Sequence, residues 1–287
     1  MGLSARVPST TDTNLFIPKI YSNKVEEAVK SNLVAWGAID SSWQSELTKG
    51  DILYIPKSNT VTATEVVVGT KGTTLNPLNT TGVTLTINQW YEAPVDIDYM
   101  SIRQKGADPE GVASTEAGYA INVRMDTAVC TLFSSLGGYS TSAYGTDGQT
   151  LTDDLLLYLV ETLDESNVPR DGNRSLIIDP AALIDMLKID KFIASQYVNI
   201  GAVTNGEIGK SPIYSCTVRV TNNLVAATTG NYACMLHKKA IAGAAQIDKT
   251  WVKEYEDLHL RRYQAETLFG VIELNDAFGI PFFTRKS

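Results

Sequence analysis

The chain has 287 residues, of which 44% are hydrophobic and 20% are charged. These values are typical of soluble globular proteins and exclude a largely disordered chain. The formal net charge of -8 at pH 7 argues against a protein that grips nucleic acid through clustered Lys and Arg, because that grip depends on displacing counterions from phosphates. The length allows one large domain or two ordinary domains, each with a substantial core.

Cysteine spacing and hydropathy further narrow the class of protein to which the chain can belong. Cys130, Cys216 and Cys234 form no Cys-x-x-Cys pair and are odd in number, so the sequence predicts neither a disulfide framework nor a zinc site. This usage suits a reducing cytoplasm. The first residues carry no apolar run of a signal peptide, and no apolar run approaches the length of a membrane-spanning helix. We therefore expect no membrane association.

Residues 1–50 are predicted to form an arm followed by a helix. Residues 1–14 are mostly small and polar, which is typical of a flexible arm. After Pro18, apolar residues recur at helical spacing from Tyr21 to Leu33, which indicates an amphipathic helix. Two placements stay open at this point: the helix packs on its own domain, or the arm lies on a neighbouring subunit.

Strand patterns dominate residues 51–97. Apolar runs with β-branched residues occur near the start, and Val83, Leu85 and Ile87 alternate strictly with threonines, as expected for a half-buried strand. The stretch 69–82 is rich in Thr, Asn and Gly. We predict one long β-hairpin with a polar tip. Because such a ribbon has few residues for a core of its own, we expect it to pack against another chain.

A long helix is predicted over residues 108–136. Asp108 suits the N-cap and Pro109 the first helical position, while Gly137 and Gly138 end the pattern. Such a helix of about 28 residues is roughly 40 Å long, since each residue rises about 1.5 Å. A helix of this length provides a rigid support for the elements around it. Its predicted buried stripe recurs at steps of three and four residues and consists of Ala117, Ile121, Met125, Ala128, Leu132 and Leu136.

An α/β pattern follows a linker rich in Gly, Ser, Thr and Tyr. Thr152 or Asp153 is a suitable cap for a helix whose apolar face includes Leu156, Leu159, Val160 and Leu163. A short buried strand is predicted over 175–178. The Asp179-Pro180 pair then predicts the start of a second helix, since proline is favoured at the first helical position.

The C-terminal part of the chain is predicted to be rich in strands. Strand patterns occur over 213–220 and 232–236. Residues 251–274 predict two long strands, bent near Arg261 or Gly270, which could form the sheet on which the long helix lies. A helix over 253–266 is the alternative that stays open at this point.

The sequence carries no recognisable catalytic or metal-binding motif. Its two histidines, His237 and His259, lie in contexts typical of the surface or of a strand end. The segment Gly206 to Ser211 is not a phosphate-binding loop, because Thr204 stands where that loop needs glycine. We therefore predict a protein that is not an enzyme and needs no cofactor or metal. A hydrolase with an unrecognised site is the distant alternative.

Basic and aromatic residues are candidates for contacts between subunits. Arginines cluster around the hairpin base, the long helix and the late strands, where they form either local ion pairs on a solvated face or salt bridges between chains. Lys71 lies near the predicted hairpin tip. The candidate inter-subunit contacts are Lys71, Trp90, Arg103, Arg124, Arg261 and Arg262.

The order of these parts resembles the major capsid proteins of tailed bacteriophages, which have the Hong Kong 97-type fold. Leu163-Asp-Glu-Ser-Asn-Val-Pro169 and Arg174-Ser-Leu-Ile-Ile-Asp-Pro180 are similar to a helix–strand passage of that family. Gly206-Glu-Ile-Gly209 and Thr221-Asn-Asn-Leu224 are similar to its turn and strand-end region.

The resemblance implies an α+β, Hong Kong 97-like capsid fold. Its parts are an N-terminal arm, an extended β-hairpin loop, a long spine helix, an axial α/β domain and a peripheral β-sheet domain. The implied division is an N-terminal arm and helix at 1–50, an extended β-loop at 51–98, the spine helix of the peripheral domain at 99–149, the axial domain at 150–225 and peripheral-domain strands at 226–287.

The resemblance also implies a function. A major capsid protein of this kind assembles with copies of itself, as hexamers and pentamers, into an icosahedral shell. The shell encloses double-stranded DNA without sequence-specific binding, and the protein is part of the virion after assembly in the host cytoplasm. The implied partners are a portal protein and, because few residues precede the β-loop, a separate scaffolding protein. Decoration proteins stay open. An encapsulin-like shell or another phage structural protein is the alternative.

Overall fold

The computed structural model describes residues 33–45, 50–58, 80–104, 109–138, 143–189 and 213–286, and the single residues 63, 65 and 68. The helices within these ranges are α1 (Tyr99–Gln104), α2 (Pro109–Thr131), α3 (Asp153–Glu165) and α4 (Pro180–Met186). The strands are β1 (Ile52–Ser58), β2 (Thr80–Thr86), β3 (Gln89–Asp98), β4 (Arg174–Ile178), β5 (Cys216–Val220), β6 (Gly230–His237), β7 (Ile241–Tyr255), β8 (Leu260–Glu273) and β9 (Gly279–Arg285).

Some predicted features lie outside these residues. They are the helix predicted between Tyr21 and Leu33, apart from Leu33 itself, the cap Asp108, most of the hairpin tip, and the Gly206–Gly209 turn.

The described strands form three sheets. A two-stranded ribbon joins β1 and β2, a second sheet has the order β3-β8-β7, and a third has the order β5-β4-β6-β9. All neighbouring strands run antiparallel except β4 and β5, which are parallel. The predicted single hairpin over residues 51–97 is therefore wrong in part, because β3 leaves the ribbon and pairs along its whole length with β8.

The four-stranded sheet is covered on both faces. All five residues of β4 are buried. A strand that is covered on both faces has no solvent-facing side, so Leu176, Ile177 and Ile178 follow one another without a polar residue between them. Leu176 and Ile178 pack against the apolar sides of α3 and α4. Ile177 points the other way, into a cluster with Phe133 at the end of the long helix. This sheet thus joins two layers of the core.

Two strands of that sheet come from the C-terminal part of the chain. Within the range 226–287, β6 pairs with β4, and β9 pairs with β6. The sequence analysis names no separate strand over 279–285, and β9 contains Pro281. The proline is tolerated because β9 is an edge strand, where a missing backbone donor is not needed by a further neighbour.

The strands β7 and β8 form one long hairpin. The chain reverses at the turn Glu256–Leu258, and His259 closes it with φ 51°, so the predicted bend near Arg261 is wrong. A bulge shifts the register between Ala245 and Ile247. Bulges bend the strand that carries them. The inserted Gln246 donates from its side chain to the Gly50 carbonyl at 3.2 Å.

The long helix lies on the three-stranded sheet. α2 has 23 residues, which corresponds to about 35 Å. A 3-10 turn continues it from Leu132 to Gly138, where Leu136 is extended and Gly137 has φ 71°. The predicted end at the two glycines is confirmed, because a residue with positive φ cannot continue a right-handed helix.

The ribbon of β1 and β2 crosses β8 at a glycine. A Cβ atom on Gly270 would lie 2.2 Å from the carbonyl oxygen of Thr86. That oxygen belongs to the backbone at the end of β2 and cannot rotate away as a side chain can. Only glycine therefore allows the ribbon to approach the sheet this closely.

We expect Gly270→Ala to lower the free energy of unfolding of the subunit by about 1–3 kcal/mol, as overpacked sites do. Gly118→Ala is the matched control, since a Cβ atom there has nothing within 4 Å. In a helix it should stabilise by roughly 0.5–1 kcal/mol. Urea unfolding of both variants measures the difference, and equal stability of the two would contradict the close crossing.

Candidate assembly surfaces

The long helix buries a face that widens towards its C-terminal end. Ala117 and Ile121 are buried against Ala265 of β8. Of the other predicted stripe residues, Leu136 is buried, whereas Met125, Ala128 and Leu132 are half-buried. The sequence analysis missed four buried residues of this helix and its last turn: Ala113, Val129, Cys130 and Phe133.

The widening has a structural cause. Near its N-terminal end the helix packs on the three-stranded sheet. Near its C-terminal end it also contacts the N-terminal segment through Ala35 and Ile39, and the four-stranded sheet through Cys234 and Leu236. A pattern search for one apolar stripe cannot detect burial on two sides, because each side follows the helical period separately.

A buried carboxylate on this helix holds the N-terminal segment in place. Asp126 has 1% of its surface exposed. One carboxylate oxygen accepts hydrogen bonds from the backbone N–H groups of Ala35, at 2.7 Å, and Trp36, at 3.1 Å. The other accepts from the side-chain amide of Asn223 at 3.3 Å. The residue thereby connects the N-terminal segment, the long helix and the loop that follows β5.

The base of the ribbon belongs to the core of its own chain. Ile55, Leu85 and Ile87 are buried in a cluster with Ala242 and Ala244 of β7. The expectation that the whole ribbon packs against another chain is therefore wrong for its base. The reason is that the alternating apolar side, which looked too small for a core, is completed by small residues of β7.

The opposite face of the ribbon is open. Ile52 and Tyr54 are 57% and 56% exposed. The predicted contact residue Trp90, at the start of β3, is 68% exposed. Large apolar groups near one another on a surface mark interaction sites more often than isolated ones do. The sequence analysis did not single out Ile52 or Tyr54, because alternation alone does not show which side of a ribbon meets the core.

Two of the predicted contact arginines form ion pairs within their own chain. Arg262 forms a bidentate pair with Asp96 at 2.6 and 2.8 Å, and its guanidinium holds the pKa of Asp96 below the usual range. Arg261 pairs with Glu110 at 2.5 Å and with Glu254. The sequence left open whether these arginines form local ion pairs or salt bridges between chains. The pairs of Arg261 and Arg262 are local.

The remaining predicted contact residues differ in setting. The guanidinium of Arg124 lies over the ring of Tyr91, 5.1 Å from its centroid, which is a cation–π arrangement. Arg103 is exposed in α1. Lys71 lies outside the described residues.

The helix–strand passage that carries the family resemblance is a Schellman cap at the end of α3. Asn167 has φ 55°. Its N–H donates to the Asp164 carbonyl at 2.9 Å, and the N–H of Val168 donates to the Leu163 carbonyl at 3.1 Å. Val168 and Leu163 are both buried in the same cluster, which is the apolar contact typical of this cap.

A fully buried arginine completes the same passage. Arg174 donates to a carboxylate oxygen of Asp164 at 2.8 Å and to the Pro169 carbonyl at 3.1 Å. Arg170 also binds Asp164. The hydrogen bonds from Arg170, and then those from Arg174, lower the pKa of Asp164 from 3.8 to about 2.

The histidines and cysteines have structural surroundings. His237 is buried at the end of β6, where its ring bonds to Asp171 at 3.1 Å, while His259 is exposed in a turn. Burial raises the pKa of Cys216 to about 11 and raises those of Cys130 and Cys234 as well, so these thiols stay protonated.

Metal-binding clusters and membrane-spanning helices are absent from the residues that the structure describes. In these ranges no group of three or more His, Cys, Asp or Glu side chains is arranged to hold a metal. No helix among them is long and apolar enough to cross a membrane.

We expect Asp126→Ala to destabilise the attachment of the N-terminal segment, because two buried backbone donors lose their acceptor at about 1–3 kcal/mol each. Limited proteolysis should then cut between residues 33 and 45 faster than in the unchanged chain. Asp126→Asn should be milder, since its amide oxygen still accepts. Asp154→Ala removes an exposed carboxylate from α3 and is the control, which should leave the cleavage rate unchanged.

The lowered pKa of Asp164 predicts that the cap at the end of α3 loses stability in acid. Because its pKa in the folded protein is lowered, its stabilisation is present above pH of about 4 and is lost as the pH falls towards 2. Urea midpoints measured across this range should fall less steeply for Asp164→Asn than for the unchanged chain. Identical slopes would show that the arginine pairs do not stabilise the fold.

Comparison with known proteins identifies the fold. The sequence matches no protein-family model and no curated protein. A chain of Mycobacterium phage Che8 superposes with a TM-score of 0.79 at 19% identity, covering 93% of this chain and 97% of that one. For the capsid of cyanophage P-SCSP1u, the TM-score is 0.74 at 16% identity, with 96% and 94% covered.

A third solved structure extends the likeness. The capsid of the native GTA particle, computed with C5 symmetry, has a TM-score of 0.69 at 9% identity, with 99% of this chain and 100% of that chain covered. The matches cover nearly the whole length in both directions, so they include all three sheets and the long helix. The predicted α+β fold is confirmed: the chain has the fold of phage capsid proteins.

Proposed function

We propose that this chain is a major capsid protein of a tailed phage, a structural protein and not an enzyme. The observation that carries the proposal is the full-length match to solved phage chains, 93% of this chain and 97% of the Che8 chain. In this reading, copies of the chain assemble as hexamers and pentamers into an icosahedral shell.

The surface of the subunit supports assembly. Ile52 and Tyr54 on the open face of the ribbon, and Trp90 at the start of β3, leave more than half of their surface exposed. Burying one such side chain fully contributes about 1.5–3 kcal/mol, and a shell repeats each contact in every copy. We infer that neighbouring subunits cover this face of the ribbon, with Trp90, Arg124 and Lys71 among the contact residues.

The charge of the chain suits an enclosed DNA genome. At -8 per chain, the shell wall offers no general basic surface, so packaged DNA is enclosed without tight or sequence-specific binding. The proposal places the protein in the virion, after assembly in the host cytoplasm. The proposed partners are a portal protein and a separate scaffolding protein.

Expression of the chain tests the proposal, with co-expressed scaffolding protein if the chain alone stays monomeric. We expect sedimentation to show large particles and negative-stain micrographs to show closed, uniform shells. A compact monomer under all these conditions would contradict the proposal. Shells that contain a protein cargo instead of DNA when isolated from the natural source would favour the encapsulin-like alternative.

A further inference from the structure

Two short crossings connect the four-stranded sheet to the three-stranded sheet. In the first, β6 leads through the 3-10 turn Lys238–Ala240 into β7. In the second, β8 leads through residues 274–278 into β9. The crossings are bonded to each other, because the Ala240 carbonyl accepts hydrogen bonds from the N–H groups of Leu274, at 2.7 Å, and Asn275, at 3.0 Å. They therefore form one joint between the two sheets.

A buried histidine holds this joint. His237, the last residue of β6, has 1% of its surface exposed. Its Nδ1 accepts a hydrogen bond from the Lys239 N–H at 3.2 Å and thereby caps the 3-10 turn. The other ring nitrogen, Nε2, lies 3.1 Å from a carboxylate oxygen of Asp171. The ring also meets the ring of Phe278 edge-on, with centroids 5.7 Å apart, so His237 contacts both crossings.

These contacts assign the proton on the ring. A nitrogen that accepts a hydrogen bond carries no hydrogen of its own, so Nδ1 is bare and Nε2 carries the proton of the neutral imidazole. Nε2 then donates to Asp171, since an ionised carboxylate is an acceptor only. A second proton, on Nδ1, would point at the Lys239 N–H, and two donors cannot bond to each other. The capping bond therefore requires the neutral form of His237.

Charged groups surround the ring on several sides. On the elements that pack against it they are Arg170, Asp171, Arg174, Lys238, Lys239 and Asp276. Asp171 favours a charged ring, and hydrogen bonds from Asn173, and then one from His237, hold the pKa of this carboxyl below its usual range, so it stays ionised in mild acid. The positive groups and the burial of the ring oppose the charged form. A charged ring keeps its bond to Asp171 and loses its bond to Lys239.

We propose that His237 is an acid-sensitive catch on the joint between the two sheets. Histidine is the side chain whose charge changes between about pH 5 and pH 8. When Nδ1 takes up a proton from the solvent, the ring stays bound to Asp171 through Nε2, but the Lys239 N–H loses its acceptor and the 3-10 turn opens. The first crossing is then free to adjust, and with it the angle between the sheets. The catch acts within one subunit, so it does not depend on assembly into a shell.

Hydrogen exchange of the full-length chain, followed by NMR, tests the catch. Protection factors correct for the intrinsic dependence of exchange on pH, and they report local opening. They are compared at about pH 8 and about pH 5, the range in which histidine titrates. We expect the protection of the Lys239 N–H to fall by about tenfold or more in acid, since each 1.4 kcal/mol changes an equilibrium tenfold. The N–H of Ile177, in the buried strand β4, is the internal reference and should keep its protection.

Three variants separate the histidine from other groups that titrate. His237→Gln removes the titration and keeps an amide oxygen as an acceptor, so the protection of Lys239 should no longer depend on pH. His259→Gln is the matched control, because His259 is exposed in the turn between β7 and β8, and it should behave like the unchanged chain. Asp171→Asn removes the charge that favours a charged ring, so the loss of protection should then require a lower pH.

Two results of the exchange measurement would overturn the proposal. One is protection of Lys239 that stays constant with pH in the unchanged chain. The other is an equal loss in the His237→Gln variant, because another group would then be responsible. If that variant does not fold, the nitrogen chemical shifts of the His237 ring at neutral pH decide in its place. A protonated Nε2 and a bare Nδ1 are expected, and the opposite tautomer would overturn the catch, since Nδ1 could not then accept from Lys239.

Discussion

The packing of the long helix α2 on the sheet of β3, β8 and β7 is the constraint on which the other parts depend. This helix contacts the sheet along one side and, through Phe133 and the residues around it, the four-stranded sheet at its end. Asp126 adds a directional element, since a buried carboxylate must be hydrogen-bonded and its donors come from two distant segments. The helix thus sets where the N-terminal segment and the loop after β5 lie.

The ribbon of β1 and β2 and the β7–β8 hairpin expose several large apolar side chains. The ribbon of β1 and β2 packs one face on β7 and leaves the other open. The β7–β8 hairpin extends to the turn Glu256–Leu258, where Leu258 is 63% exposed. The buried core and the exposed apolar side chains are therefore located in different places of the described chain. Under the proposed capsid function, the core stabilises the subunit and the exposed apolar groups are available for contacts with other copies.

Local signals in the sequence predicted much of the fold. Proline and capping residues located the starts of α2, α3 and α4, and two glycines located the end of the long helix. Pairing between distant strands could not be predicted in this way. β6 follows a local strand pattern, and nothing within that pattern shows that the strand joins β4 instead of β8. Burial on two sides of α2 was missed for the same reason, since the second partner lies far away in the chain.

The candidate contact residues show a similar limit. The sequence indicated clustered arginines, but only the register of β3 against β8 shows that Arg262 faces Asp96 of the same chain. The remaining candidate contact residues differ in the exposed fraction of their side chains, and that fraction depends on the complete fold. Trp90 was selected from its residue type, whereas Ile52, Tyr54, Met100 and Leu258 became visible only from their exposed surface.

Electron cryomicroscopy of purified particles tests the central claim most directly. The account predicts a closed icosahedral shell in which each subunit carries one long helix lying on a three-stranded sheet. It also predicts that neighbouring copies cover the open face of the ribbon around Ile52 and Tyr54. A shell in which that face stays exposed to solvent, or a protein that remains a monomer with its scaffolding partner present, would contradict the account.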